Sequence, residues 1–242
     1  MAAVASSGDL RVRSCPALGV DTNETTSAGK ISHLTVREVD TPHGPARVYL
    51  HAIEEPSGAL ILGHGAGGGV DAPDLVATTE AARSAGFSVA LVEQPYRVAG
   101  RRSPARPPQL DAAWIAVVER LRAGELVGLP VVVGGRSLAA RVACRTAEAT
   151  GAVAVLCLAF PLEPPRRPGQ PQQSRLAELD AVKVPMLIVQ GERDPFGMPP
   201  PGPSRRLAKV PGNHGLKTDL EAVAAEVRVW LPGVVVTASP LA

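Results

Sequence analysis

Ser137 stands where an apolar run meets a helix-forming one, in Val131-Val132-Val133-Gly134-Gly135-Arg136-Ser137-Leu138-Ala139-Ala140-Arg141. Strand, tight turn and helix in that order lift a hydroxyl off a sheet edge, where its oxygen reaches a substrate carbonyl. The corner is sharp, so the residues two positions to either side must be small. Gly135 and Ala139 are small, with Ala139 standing where a glycine is more usual. A serine hydroxyl is a weak nucleophile until a base takes its proton. Histidine titrates near neutrality and suits that task, and a carboxylate orients it and stabilises its charged form. Taken alone, Ser137 also reads as a helix N-cap. The chemical reading requires the two partners.

Both partners follow in the chain. The apolar run Val184-Pro185-Met186-Leu187-Ile188-Val189-Gln190 ends in Gly191-Glu192-Arg193-Asp194-Pro195-Phe196-Gly197. Asp194 thus follows a buried strand and precedes a turn-forming proline, which brings its carboxylate out at the strand's C-terminal end. Val210-Pro211-Gly212-Asn213-His214-Gly215 is a loop by composition and can carry an imidazole to the serine. Of five histidines, His33, His43, His51 and His64 precede Ser137 and only His214 follows it. Singly, Asp194 reads as a turn residue and His214 as a surface loop residue. Serine, then acid, then histidine is one of the recurring triad orders.

A fourth element precedes them. Ala59-Leu60-Ile61-Leu62 runs into Gly63-His64-Gly65-Ala66-Gly67-Gly68-Gly69, whose backbone N–H groups are free to converge on one atom. This loop fits half of an oxyanion hole, the other half being the N–H after the nucleophile, which assigns the donors to Ala66 and Leu138. The same residues also fit G-x-G-x-x-G, and the next strand-like run ends in Glu93, formally a dinucleotide-binding fingerprint with its ribose acid. Against that, an imidazole at the second position crowds a pyrophosphate, and the downstream triad is left without a purpose. There is no G-x-x-x-x-G-K-[ST] phosphate loop.

With these blocks in place the chain resembles the α/β-hydrolase superfamily, specifically its dienelactone-hydrolase-like group and the KANL3/Tex30-type hydrolase-like branch. The resembling blocks are 63–68, 134–137, 160–165, 190–197 and 214–217, spread over residues 31 to 232. The resemblance implies an α/β-hydrolase fold with a mostly parallel central sheet, helices on both faces and no large lid domain. It implies Ser137 as nucleophile, Asp194 as acid and His214 as base, the roles reached from the residues themselves. Some members of that branch resemble scaffolds more than enzymes, but here all three positions are filled.

The rest of the chain is consistent with one such domain. Its 242 residues suffice for a single α/β unit with a substantial core. The 45% apolar share is ordinary and the 3% aromatic share low. A net charge of +2 gives no footprint for nucleic acid, and no stretch has the length of a membrane span. The N-terminal segment lacks the apolar middle of a signal peptide. Cys15, Cys144 and Cys157 have no metal-ligand spacing, and the last two read as core thiols. A cytoplasmic protein needing no metal and no cofactor, with no membrane or nucleic-acid partner, is the expectation. Its oligomeric state is not legible.

Residues 1–30 read as a disordered lead-in, 31–232 as the single α/β-hydrolase domain and 233–242 as a tail. Residues 34–39 and 46–52 alternate apolar and polar about Pro42-His43-Gly44-Pro45, the pattern of an antiparallel hairpin. Continuous apolar runs at 59–62, 87–92, 129–133, 152–158 and 185–189 predict strands buried on both faces. Between and after them, 74–85, 109–123, 138–149, 174–182 and 218–230 predict helices, and the alternation predicts a parallel sheet. Two loops, 94–108 and 161–173, follow buried strands at the edge that carries Ser137. Their arginines, Arg97, Arg101, Arg102 and Arg166, form a candidate basic rim for anionic esters, since guanidinium pairs with carboxylate and phosphate.

The functional expectation is a serine hydrolase cleaving a small ester, thioester or lactone through an acyl-enzyme on Ser137, its partner being a small-molecule acyl substrate. The alternatives are a catalytically silent α/β-hydrolase fold used as an interaction module, and a dinucleotide-binding protein using Gly63 to Gly68.

Overall fold

A computed structural model describes residues 23–25, 32–165 and 169–236. Strands β2 (Ser32–Val39) and β3 (Ala46–Ile53) form the expected hairpin. Within the segment read as a lead-in, Asn23–Thr25 forms a short strand, β1, antiparallel to β2. The remaining strands are β4 (Gly58–Gly63), β5 (Phe87–Glu93), β6 (Val131–Arg136), β7 (Ala154–Leu158), β8 (Met186–Gly191) and β9 (Arg205–Val210). The sheet order is β1-β2-β3-β5-β4-β6-β7-β8-β9. Pairings from β5 through β9 are parallel, and those of β1, β2 and β3 are antiparallel.

Period-two alternation of apolar side chains builds two cores, one on each face. From β4, Ala59 and Ile61 enter one core while Leu60 and Leu62 enter the other. Helices α3 (Pro107–Ala123), α4 (Leu138–Thr146) and α5 (Leu176–Asp180) cover the first face. Helices α1 (Pro73–Ser84) and α6 (Leu220–Val236) cover the second. Cys144 and Cys157 lie buried in the first core, as expected of core thiols. No inserted lid domain interrupts the described residues.

The differences from the expected elements have local causes. Pro73, Pro95 and Pro107 each open a helix, where a missing N–H costs nothing. Pro95–Val98 therefore forms a single turn, α2, inside the segment expected to be loop, and α3 starts two residues early. Helix α6 continues through Pro232 to Val236, past the boundary expected at residue 232. Strand β9 was not expected: its alternation is broken by Arg205, Arg206 and Lys209, and only Ala208 and Val210 of the strand are buried.

This topology positions the site. From β4 the chain crosses by α1 on one face to β5. From β5 it crosses by α3 on the other face to β6, which lies on the opposite side of β4. The crossovers diverge between β4 and β6, leaving a crevice at their C-terminal ends where open α/β sheets bind ligands. The glycine loop after β4 and Ser137 after β6 meet there. The β6–β7 contact is close. A Cβ added to Gly134 would collide with the carbonyl oxygen of Leu156 on β7. Gly134→Ala is accordingly expected to lower stability by about 1–3 kcal/mol, read from the urea unfolding midpoint; an unchanged midpoint would contradict this packing.

Candidate active site

Ser137 occupies a strained corner, with φ 53° and ψ −100°. Positive φ is uncommon for a residue with a side chain and is held only where its surroundings enforce it. Gly135, at φ 154°, supplies the freedom before the corner. A Cβ on Gly135 would lie 2.6 Å from the Ala139 methyl, and one on Gly63 would lie 2.7 Å from it. The methyl of Ala139 thus occupies room that two glycines leave, which explains why the usual glycine is dispensable. Helix α4 is anchored from behind. Arg141 makes a bidentate pair with Glu178 of α5, and Arg145 does the same with Asp111 of α3.

The three residues distant in sequence converge. His214 Nε2 lies 2.9 Å from Ser137 Oγ, and His214 Nδ1 lies 2.8 Å from Asp194 Oδ2. The carboxylate accepts a hydrogen bond from Nδ1–H, which fixes the tautomer and leaves the Nε2 lone pair for the serine hydroxyl. Asp194 is fixed in turn. Its Oδ1 accepts from the Phe196 N–H at 2.9 Å, and its Oδ2 accepts a second bond from Gln190 Nε2 at 2.8 Å. The Phe196 ring packs against the imidazole with centroids 4.4 Å apart. Such a chain can deprotonate a hydroxyl and hold the resulting imidazolium.

The glycine loop that carries Ala66 lies against the serine corner, where a Cβ on Gly65 would sit 3.8 Å from that of Ser137. Among the described residues, no carbonyl or side chain accepts the N–H of Ala66 or Leu138. The Ala66 loop is braced by the Tyr96 hydroxyl, which donates to the Ala66 carbonyl at 3.2 Å. His64 turns away from the crevice. Its Nδ1–H donates to the Gly65 carbonyl at 2.8 Å and its Nε2 accepts from the Gln94 N–H at 3.2 Å. It is a buried loop anchor in its neutral form.

Of the expected basic rim, Arg166 lies outside the described residues. Arg101 lines a cavity of about 110 Å3 at the end of β5, beside Tyr96, His43 and Leu110. Arg102 is exposed. Arg97 is half-buried with its Nε unpartnered among the described residues. Burial pushes the Tyr96 hydroxyl up to about 12, opposed by the charge of Arg97. Among the described residues no cluster suited to a metal ion occurs, and no helix is long and apolar enough to cross a membrane.

Several supporting residues escaped the sequence reading. Gln190 is fully buried at the end of β8, and a polar residue closing an apolar strand was the available signal. Arg136 ion-pairs through Nε with Asp74 at 2.9 Å, and its Nη2 donates to the His214 carbonyl at 3.0 Å. Burial pushes the Asp74 carboxyl up, and the Arg136 charge opposes that shift. No sequence signal links residues so far apart.

Burial holds the pKa of His64 below its ordinary 6.5, only partly offset by the bond to Gly65. The folded state refuses a proton that the unfolded chain accepts, so this contribution to stability is full above that value and lost as pH falls below it. His51, also lowered by burial, adds in the same direction. The melting temperature is expected to drop between pH 7 and pH 5. His64→Gln should be less stable at pH 7 and show a shallower drop; an identical slope would contradict the assignment.

A profile of the alpha/beta hydrolase domain matches residues 56–208, well over half of the chain. Among solved structures, Est1E from Butyrivibrio proteoclasticus is similar, with 16% identity and a TM-score of 0.67 over 83% of this chain and 99% of its own. A dienelactone hydrolase from Anabaena variabilis is similar at 18% identity, TM-score 0.67, over 84% of this chain and 98% of its own. A lidless α/β serine hydrolase from Xanthomonas campestris follows at 18% identity, TM-score 0.62, over 86% and 96%. From the profile match, on a fold these structures share, the chain belongs to the α/β-hydrolase family.

Proposed function

We propose that this protein is a serine hydrolase that cleaves a small ester, thioester or lactone through an acyl-enzyme. The observation that carries the reading is the unbroken relay from Ser137 through His214 to Asp194, with both links under 3 Å. Ser137 Oγ attacks the substrate carbonyl while His214 Nε2 takes its proton. The N–H groups of Ala66 and Leu138 stabilise the oxyanion of the tetrahedral intermediate. In related chemistry, loss of one such donor costs about 10²- to 10³-fold in kcat. His214 then returns the proton to the leaving oxygen or sulfur as the carbon–heteroatom bond breaks. A water molecule, deprotonated by His214, attacks the acyl-serine, and the acid departs as Ser137 recovers its proton.

The similar proteins named as esterases and as a dienelactone hydrolase support an acyl substrate, and Est1E has been observed with ferulic acid bound. The bracing of the relay favours a working enzyme over a silent scaffold. The burial of His64 into its own loop favours an oxyanion role for that loop over a pyrophosphate cradle.

A fluorophosphonate probe should label the purified protein, and Ser137→Ala should abolish labelling and lower ester turnover by roughly 10⁴-fold or more. Labelling that persists in the variant would identify another nucleophile. For the basic rim, Arg101→Ala combined with Arg102→Ala should reduce turnover of carboxylate-bearing esters relative to neutral ones. Unchanged relative turnover would remove the rim from the substrate site.

A further inference from the structure

Arg136 immediately precedes Ser137, yet its guanidinium belongs to three other segments at once. Nε pairs with Asp74 of α1, a carboxylate with 1% of its side chain exposed. Nη2 donates to the backbone carbonyl of His214. Nη1 passes so close to Gly65 that a Cβ there would lie 2.8 Å from it. The glycine after His64 therefore leaves room for the guanidinium as well as shaping the loop.

The loop that carries His214 is seated by Leu216, buried in the second core, and by Asn213 packed on Gly191, but it makes few other outward main-chain hydrogen bonds. Leu216 N–H and Gly215 N–H turn back onto Asn213, which closes the turn on itself. The Gly212 carbonyl accepts from Arg193 N–H at the base of the loop. At His214 itself, the only main-chain bond among the described residues is the one from Arg136. A closed ring results: from Ser137 along the backbone to Arg136, through its guanidinium to the His214 carbonyl, along His214 to Nε2, and back to Ser137 Oγ at 2.9 Å. One side of the ring is covalent to the serine, so movement of the His214 backbone away from the serine corner must stretch a charged hydrogen bond.

We propose that Arg136, seated on Asp74, is a positioning residue that fixes the separation of His214 Nε2 from Ser137 Oγ by tethering the histidine loop to the serine corner. This rests on the hydrolase reading above. Arg136 bonds to Asp74 and to the His214 carbonyl, not to the reacting atoms. Its effect is on the fraction of molecules with the imidazole in line, so its loss appears in kcat and in the rate of serine modification, with little change in KM. A misplacement of about 1 Å is enough to cost on the order of 100-fold.

Removing Arg136 alone strands a buried carboxylate, so the decisive variant is Arg136→Met combined with Asp74→Leu, which replaces the pair by apolar groups. Three quantities are measured on the full chain: the second-order rate of fluorophosphonate labelling, kcat and KM for a short p-nitrophenyl ester, and amide hydrogen exchange over residues 211–217. The folded double variant is expected to label and turn over about 10- to 100-fold more slowly, with KM within twofold of wild type and faster exchange in that loop. Methylguanidinium should restore part of the rate to Arg136→Ala, whereas methylammonium should not. A double variant that reacts at the wild-type rate, or a loss confined to KM, overturns the proposal. If the wild type itself reacts with neither probe nor ester, the hydrolase reading fails; the tether then stands or falls on exchange, and unchanged exchange at 211–217 in the double variant overturns it.

Discussion

The backbone at Ser137 is held in a conformation that a residue with a side chain rarely adopts, and much of the surrounding sequence exists to permit it. Positive φ at the corner throws the hydroxyl clear of the sheet but drives α4 back against the ends of β4 and β6. Only glycine at 63 and 135 and a residue no larger than alanine at 139 fit that approach. Trp114 of α3, almost wholly buried, crowds the same position, its ring 3.1 Å from where a Cβ on Gly63 would lie. The bidentate arginine pairs from α4 to α3 and α5 then resist relaxation of the corner. Strain at the site is sustained by packing outside it.

Around that corner the polar groups are braced in layers. Asp194 Oδ2 serves two donors, His214 and Gln190, and Oδ1 serves the Phe196 N–H, so the carboxylate has little freedom to rotate away from the imidazole. Gln190 in turn donates to the carbonyls of Phe160 and Gly197, tying the acid's turn to the end of β7. The Ala66 loop is held by Tyr96 and by His64, residues that contribute shape and not charge to the crevice. Groups fixed before the substrate arrives need no reorganisation as charge develops, which is how an electrostatic site gains its effect.

The core of this arrangement was legible from residue order because it depends on patterns local in sequence. Apolar runs such as 59–62 and 87–92 are buried on both faces and announce themselves as strands. The glycines at 63 and 135 and the serine between strand and helix carry the corner. What was not legible depends on partners far apart in the chain. Strand β9 is an edge strand whose outward residues are arginine and lysine, so its composition reads as loop. Arg136 looks like a surface charge until α1 delivers Asp74 beneath it. The arginines of segment 94–108 read as a uniform rim, yet Arg97 has a buried Nε near His64 while Arg101 borders a cavity. Sequence gives their charge, and only the packing of α2 separates them.

The central claim is chemical: Ser137 becomes covalently acylated during turnover. Mass spectrometry of acid-quenched protein, taken milliseconds to seconds after mixing with a short p-nitrophenyl ester, reads this directly. The account predicts a mass gain equal to the acyl group, located on the peptide that contains Ser137 and lost on longer incubation as the free acid appears. Steady release of the acid with no acylated peptide, or acylation of a residue other than Ser137, would contradict it.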